Sequence, residues 1–258
     1  MRRRQIRVQG NYFPARVRDR VPKMCYNAVE VNEMKKFEGF KPETIDFMWE
    51  LRMNNSKEWM DQNRERYKEV LKEPFDAFAA ELAELSPMFC GEKSKYSVSR
   101  INRDIRYTKD KSPYRPNRWV VLYDEKYRGT EWKLHPSFYF ELMPEGYTHG
   151  LGMWCATPAY LTAYRKKIES NPAAFQRLAK KIEKDPLFRL EGEEYKKIKN
   201  ESLDPLSQLW YKKKDVLMVA GGSMEDIIFS PDLPQYLAGE WSRLKGMYAF
   251  LSDIEDKE

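Results

Sequence analysis

Apolar residues between positions 37 and 85 recur at helical spacing and predict three helices. Pro42 suits the first turn of a helix whose apolar face holds Ile45, Met48 and Trp49. Asn55 is predicted to cap a second helix, with Glu58 three residues later as its capping-box partner. The stretch PFDAFAAELAEL predicts a third helix, with its inward residues at Phe75, Phe78, Leu82 and Leu85.

The middle of the chain changes to patterns typical of strands. RWVVLYDE (118–125) and PSFYFELMP (136–144) are rich in β-branched and aromatic residues and predict two strands. GYTHGLGMW (146–154) carries three glycines and predicts a turn followed by a short strand. DVLMVAG (215–221) and DIIFS (226–230) fit either short strands or buried turns.

The last third of the chain returns to helical spacing. Thr157-Pro158 and Asn171-Pro172 are start signals for two helices. A final continuous helix is predicted from an apolar stripe at Leu237, Trp241, Leu244, Tyr248 and Leu251. Helices, then strands, then helices indicate an α+β fold: a single domain whose mostly antiparallel central sheet is flanked by N-terminal and C-terminal helices.

The formal net charge of +6 is concentrated at one end of the chain. Residues 1–33 hold eight basic and three acidic residues, so the other 225 residues are nearly neutral. This segment has few large apolar residues and is predicted to be a disordered basic extension, with a single domain over 34–258. Two interpretations stay open: a stretch translated from a misassigned start codon upstream of Met34, or a basic arm for RNA or DNA.

The sequence argues against membrane and disulfide-stabilised classes. No apolar run approaches the length of a membrane helix, and the basic start lacks the apolar centre of a secretory signal. Cys25, Cys90 and Cys155 are far apart and odd in number, which predicts reduced and mostly buried thiols. We therefore expect a cytoplasmic protein; the sequence leaves its oligomeric state open.

The segment RDIRYTKDKSPYRPNR (103–118) is the main candidate for chemistry. It places several arginine and lysine residues around only two acidic residues, whereas the rest of the chain after residue 33 is nearly neutral. If 98–107 is a strand, Arg103 shares an apolar face with Ile101 and Ile105, which is costly without a partner. The candidate ligand-binding residues here are Arg103, Asp104, Arg106, Lys109, Asp110, Lys111 and Tyr114.

Three interpretations of this segment remain. It forms a pocket for a small phosphate- or carboxylate-bearing ligand, a nucleic-acid surface, or a structural salt-bridge network. The nearly neutral body disfavours nucleic acid. The sequence predicts no reaction and leaves open whether the protein is an enzyme.

Further polar candidates lie outside the basic segment. Asn54 is either part of a loop or an amide donor to the site, and His135 is either structural or an acid–base group beside the basic segment. The two histidines and Glu141 could form a mixed metal site, but they lack a typical ligand spacing, so no metal is predicted. Gly150 and Gly152 are interpreted as turn glycines rather than a dinucleotide fingerprint, so no cofactor is predicted either.

Three blocks of the chain resemble the DUF2461 family. They are FEGFKPETIDFMWELRMNNSKEWMDQNRERY, RDIRYTKDKSPYR and GLGMW, and the resemblance covers about residues 37 to 251. Lys57, Met60, Tyr107, Thr108 and Arg115 depart conservatively from the family pattern. The resemblance implies a bacterial-type cytoplasmic domain and carries over no catalytic residue.

Overall fold

The computed structural model describes residues 36–91, 93–106, 108–127 and 131–254. The predicted extension at 1–33, Cys25 and Tyr107 lie outside this part of the chain. Within it, Cys90 is a buried free thiol, as predicted, whereas Cys155 is an exposed one. No helix in these described ranges is long and apolar enough to cross a membrane.

The N-terminal part is helical, as its periodicity predicts. Helix α1 spans Pro42–Met53, α2 spans Lys57–Gln62 and α3 spans Arg64–Tyr67; a π-helical stretch at Lys68–Lys72 leads into α4 at Glu73–Glu84. The predicted inward face of α1 is wrong in part, because Trp49 is 41% exposed and Phe47 is buried instead. Phe47 packs on the Trp59 and Tyr67 rings, at 5.5 and 6.0 Å between centroids, and this contact sets the rotation of α1.

The predicted cap of α2 is off by one residue. Ser56 is the N-cap, since its hydroxyl accepts a hydrogen bond from the Trp59 amide at 3.2 Å. Asn55 therefore does not form the predicted capping box with Glu58. Its side chain bonds a distant segment instead.

The strands in the described residues form one six-stranded antiparallel sheet in the order β1-β2-β3-β4-β6-β5. The strands are β1 (Ser94–Val98), β2 (Arg118–Asp124), β3 (Ser137–Met143), β4 (Gly146–Met153), β5 (Arg189–Glu191) and β6 (Val216–Gly222). This confirms the predicted α+β fold, as well as the strands predicted in 118–125 and 136–144. Of the two alternatives left open for 215–221, the structure has the strand.

Strand β4 corrects the prediction for 146–154. The segment is an uninterrupted strand between β3 and β6, so Gly150 and Gly152 are strand residues rather than turn glycines. A Cβ at Gly150 would lie 1.9 Å from the Met218 carbonyl oxygen, and φ at this residue is +152°. The glycine is required by the close approach of β6, which the glycine content alone does not distinguish from a turn.

One face of the sheet packs against the helices and forms the main core. The Phe78 ring of α4 lies 4.9 Å from Phe140 of β3, and the Trp241 ring lies 5.4 Å from Phe138. Burying aromatic side chains of this size stabilises the fold by about 1.5–3 kcal/mol each. The sheet has an opposite side, which we call the second face. Side chains at alternate positions of the same strands, such as Val121 and Tyr139, point to it.

The C-terminal part supplies the remaining helices. They are α5 (Pro158–Ser170), α6 (Pro172–Glu183), α7 (Pro205–Tyr211), α8 (Leu233–Ser242) and α9 (Lys245–Ser252). Thr157 and Asn171 cap α5 and α6 as predicted. The predicted final helix is two helices, broken at Arg243 and Leu244, although its whole apolar stripe is buried. Short 3-10 turns lie at Ser86–Met88, Glu131–Leu134 and Asp226–Phe229, and the last one makes DIIFS a buried turn.

Candidate functional site

The basic segment forms an irregular hairpin between β1 and β2. The strand considered over 98–107 does not form, because β1 ends at Val98. The two arms of the hairpin, 99–106 and 108–117, are joined by an isolated bridge between Asn102 and Tyr114. The Arg103 amide donates to the Pro113 carbonyl at 2.8 Å and the Arg115 amide to the Ile101 carbonyl at 2.8 Å. We call residues 99–106 and 108–117 the basic hairpin.

Asn55 fastens the basic hairpin to the N-terminal helices. Its amide group donates to the Tyr114 carbonyl at 2.9 Å and accepts from the Tyr114 amide at 3.0 Å. Tyr114 itself is only 5% exposed and belongs to the main core. The neighbouring Asn54 is exposed and donates to the Glu50 carbonyl at the end of α1. Of the predicted site residues, Tyr114 thus lies in the core and Asn54 lies at a helix end.

Charged side chains at the tip of the hairpin form ion pairs and hydrogen bonds within the hairpin itself. Arg106 forms a two-pronged ion pair with Asp104, at 2.9 and 2.7 Å, which lowers the pKa of that carboxyl to about 2. Asp110 accepts hydrogen bonds from the Ser112 hydroxyl and amide at 2.7 and 2.9 Å, and these bonds lower its pKa. Lys111 donates to the Ile105 carbonyl at 2.7 Å. Lys109 is exposed. These residues form a largely exposed frame.

At the base of the hairpin, Arg103 and Arg115 make fewer hydrogen bonds and ion pairs. Arg103 pairs with Asp110, yet its buried Nε has no hydrogen-bond partner among the described residues. Within the same part of the chain Arg115 has no ion pair, and its guanidinium group lies over the Trp119 ring at 4.8 Å. Burial lowers the pKa of Arg115, and repulsion from the nearby Arg103 lowers it further. The charges of Glu141 and Asp104 oppose these two effects, so the Arg115 guanidinium group is compensated in part.

A partly buried carboxyl group lies near Arg115. Glu141 of β3 is on the second face of the sheet, directly opposite Trp119 of β2 and Thr148 of β4. Burial raises its pKa, which a hydrogen bond from Asn117 and the charge of Arg115 oppose. Asn117 donates to Oε1 of Glu141, while Oε2 makes no hydrogen bond to any described residue. We call Arg103, Arg115, Asn117 and Glu141 the arginine–glutamate site.

Aromatic side chains extend the second face away from this site. They form a cluster separate from the main core, consisting of Val121, Tyr123, Trp132 and Tyr139, with Trp119, Tyr127 and Trp154 packed against it. The Tyr139 ring meets the Trp154 ring edge to face at 5.1 Å. Burial raises the pKa of Tyr139, and a hydrogen bond with Thr148 opposes the shift. Aromatic rings of this cluster therefore border the site on the side of Trp119.

The two histidines lie away from the arginine–glutamate site. His135 precedes β3 at the opposite end of the sheet from the hairpin, and stacks on Tyr127 with 3.6 Å between ring centroids. His149 is fully buried on the core face, where Nδ1 accepts from Trp241 Nε1 at 3.1 Å. The structure does not bring His135 beside the basic segment. In the ranges described, no group of three or more metal-ligating side chains comes together.

Two depressions of about 340 Å³ each lie elsewhere on the surface. One is lined by Lys196, Asn200, Gln208 and Lys212 near α7, and the other by Phe188, Leu190, Trp210 and Lys213. Neither is lined by a residue of the basic hairpin. The arginine–glutamate site is consequently a patch at the edge of a sheet face rather than one of these cavities.

Four residues around the site are not predicted by the sequence: Asn55, Arg115, Asn117 and Glu141. A signal for Glu141 was present, since PSFYFELMP alternates and places the only acid of the stretch on the face opposite Phe138 and Phe140. The role of Asn55 has no comparable signal, because its partner is 59 residues away.

Comparison with known proteins gives a family assignment. A search of curated proteins returned no match. The model of the family described as conserved hypothetical protein (DUF2461) matches residues 43–250, which is most of the chain and includes the basic hairpin, Asn55 and Glu141. The chain therefore belongs to the DUF2461 family.

Proposed function

We propose that the protein binds a small oxyanion, bearing a phosphate or carboxylate group, between Arg103 and Arg115. The observation that carries this proposal is the incompletely compensated arginine pair. Within the described residues Arg115 makes no ion pair, although the charges of Glu141 and Asp104 act on it, and Arg103 keeps a buried Nε without an acceptor. Guanidinium groups are the forked donors that match phosphate and carboxylate oxygens.

The energetics of the pair favour an anion between them. Removing a cation from water is costly, and two like charges held together raise that cost. Both effects act on Arg115, as its lowered pKa indicates. A bound anion would add to the partial compensation by Glu141 and Asp104 and would accept the unpaired Nε–H of Arg103, so binding is favoured at this position.

The other residues of the basic segment have a supporting role in this proposal. Asp110 forms an ion pair with Arg103, and hydrogen bonds from Ser112 fix the position of Asp110. The Arg106–Asp104 pair and Lys111 maintain the hairpin tip. Asp104, Arg106, Lys109 and Lys111 therefore frame the site without contacting the ligand.

A structural salt-bridge network is the second candidate. It is favoured by the same tip pairs, since most of their cations already have acceptors inside the hairpin. On this interpretation Arg115 contributes only by packing on Trp119, at 4.8 Å. The two candidates differ in whether an added anion stabilises the protein.

Thermal unfolding of the full chain in a panel of anions at constant ionic strength separates them. A ligand at a hundred times its Kd stabilises the native state by about 2.7 kcal/mol, which for a protein of this size raises Tm by about 5–10 °C. We expect inorganic phosphate, a sugar phosphate or a carboxylate to give such a rise. Arg115→Met should abolish the rise, whereas Arg177→Met, which removes an exposed arginine of α6, should retain it.

Three results would count against the proposal. If no anion raises Tm, the structural network is favoured. If Arg115→Met leaves the rise unchanged, the anion binds elsewhere. If single-stranded RNA or DNA binds instead, with an affinity that falls steeply as salt increases, the nucleic-acid interpretation replaces it.

A further inference from the structure

The carboxyl group of Glu141 is an unexpected neighbour for an anion site. A carboxylate beside a bound oxyanion repels it unless a proton lies between the two oxygens. Oε1 of Glu141 is occupied by the Asn117 amide, whereas Oε2 has no hydrogen-bond partner among the described residues. Arg115 is close enough for its charge to act on Glu141. Glu141 is paired with Trp119 in the sheet, and the Arg115 guanidinium group lies over the Trp119 ring at 4.8 Å, so an anion held by Arg115 lies on the same side of the sheet as this carboxylate.

We propose that Glu141 Oε2 accepts a hydrogen bond from the bound anion, so that the ligand is an oxyanion that itself carries an O–H group. This proposal rests on the proposed function, because it requires an anion between Arg103 and Arg115. Two ligand chemistries satisfy it: hydrogen phosphate, with its P–OH group, and a hydroxy acid, with a hydroxyl beside the carboxylate.

The surroundings hold Glu141 in place for this selection. The carboxyl lies on a central strand, between Trp119 on one neighbouring strand and Thr148 on the other. The Asn117 amide donates to Oε1 and so orients the carboxyl plane, leaving Oε2 as the free acceptor. A rigid acceptor discriminates strongly, because a ligand without the donor leaves the site with an unpaired or repelled group.

Phosphate and sulfate provide a direct test, since they share size and shape. Hydrogen phosphate keeps one P–OH group at mildly alkaline pH, whereas sulfate has none. The same pH favours the ionised carboxylate, although burial raises the pKa of Glu141. We expect isothermal titration of the full chain to give a Kd for sulfate that is at least about tenfold weaker than that for phosphate.

Glu141→Gln should remove this preference. The glutamine amide can donate to sulfate where the carboxylate repels it, so the two Kd values should converge within about threefold. Glu191→Gln is the matched control, because Glu191 is an exposed acid on β5, whose partner Leu217 lies two strands from β3. This control should keep the phosphate preference of the unaltered protein.

A second ligand pair identifies the source of the O–H group. Glycolate and acetate differ by one hydroxyl beside the carboxylate. Tighter binding of glycolate would indicate a hydroxy acid, and tighter binding of phosphate than of either would indicate a phosphate ligand. Tighter binding of glycolate than of acetate supports the proposal, and a preference for phosphate supports it only where phosphate also binds more tightly than sulfate.

The outcomes distinguish selection by Glu141 from anion binding by Arg103 and Arg115. If no anion binds, the proposed function fails and the present inference fails with it. If phosphate and sulfate, and glycolate and acetate, bind equally to the unaltered protein, Glu141 does not select the ligand, although Arg103 and Arg115 still bind anions. That comparison needs no variant, so it stands even if Glu141→Gln does not fold.

Discussion

His149 shows how burial changes the chemistry of a single residue. Its side chain has no exposed surface, and burial lowers its pKa to about 3. Nδ1 accepts from Trp241, so the neutral ring carries its proton on Nε2, which has no acceptor among the described residues. Such a histidine is a structural group rather than the acid–base candidate that an isolated histidine in the sequence suggests.

This environment predicts that acid destabilises the protein through His149. The unfolded chain takes up a proton below pH about 6.5, whereas the folded chain resists it until about pH 3. The stability contribution is therefore complete above pH 6.5 and is lost as the pH falls between these values. Between pH 7 and pH 4.5 the loss is at most about 2–3 kcal/mol. Chemical denaturation across this range, which gives the free energy of unfolding at each pH, measures it.

His149→Asn isolates the histidine from the carboxyl groups that also titrate in acid. We expect the variant to be less stable at neutral pH, because the smaller side chain leaves a cavity, but to lose less stability between pH 7 and pH 4.5. Identical pH slopes for the unaltered protein and His149→Asn would contradict the assignment.

At the scale of elements, the basic hairpin depends on one long-range connection. Asn55 makes two hydrogen bonds to the backbone of Tyr114, as a neighbouring strand would. We expect Asn55→Ala to lower the free energy of unfolding by about 1–3 kcal/mol. The larger effect should be local, because the Arg103 and Arg115 amides that cross the hairpin lose their support. Hydrogen exchange of these two amides measures it.

Asn54→Ala is the matched control for this prediction. Asn54 is exposed and bonds a carbonyl within its own helix end, so its loss should cost less than about 0.5 kcal/mol. Exchange of the hairpin amides should then stay slow. Equal acceleration in both variants would mean that Asn55 has no special role in holding the hairpin.

The same contrast explains what the sequence predicts and what it does not. Strands β2 and β3 and helices α5 and α6 have a strong local period or cap and are confirmed. The rotation of α1 and the conformation of the hairpin depend on partners distant in the chain, such as Phe47 with Tyr67 and Asn55 with Tyr114. Local pattern carries no information on these pairings.

The site also depends partly on local sequence pattern and partly on pairings between distant residues. Arg103 and its neighbours are visible in the sequence because their charges are clustered. Arg115 and Glu141 come together only when the register of β2 and β3 is known, since it places Trp119 opposite Glu141. A charge pattern thus locates the region of the site, whereas sheet pairing decides which of its residues face one another.

At the scale of the whole molecule, one continuous core joins the first described helices to the last. Its buried residues run from Phe37 to Ile254 and include members of both helical parts and of the sheet. Trp241 lies at the centre, with its ring 4.9 Å from Phe89 and 5.4 Å from Phe138. A core without an internal boundary favours one cooperative unfolding unit over two.

We therefore predict a single unfolding transition for the domain expected over 34–258. Fluorescence and far-UV circular dichroism should give coincident curves, and the calorimetric and van't Hoff enthalpies should agree. Trp241→Ala should lower the free energy of unfolding by about 3–5 kcal/mol and shift the whole transition. Trp49→Ala should shift it far less, because Trp49 is 41% exposed. If Trp241→Ala melts the C-terminal helices in a separate earlier step, the core is divided and the chain contains more than one folding unit.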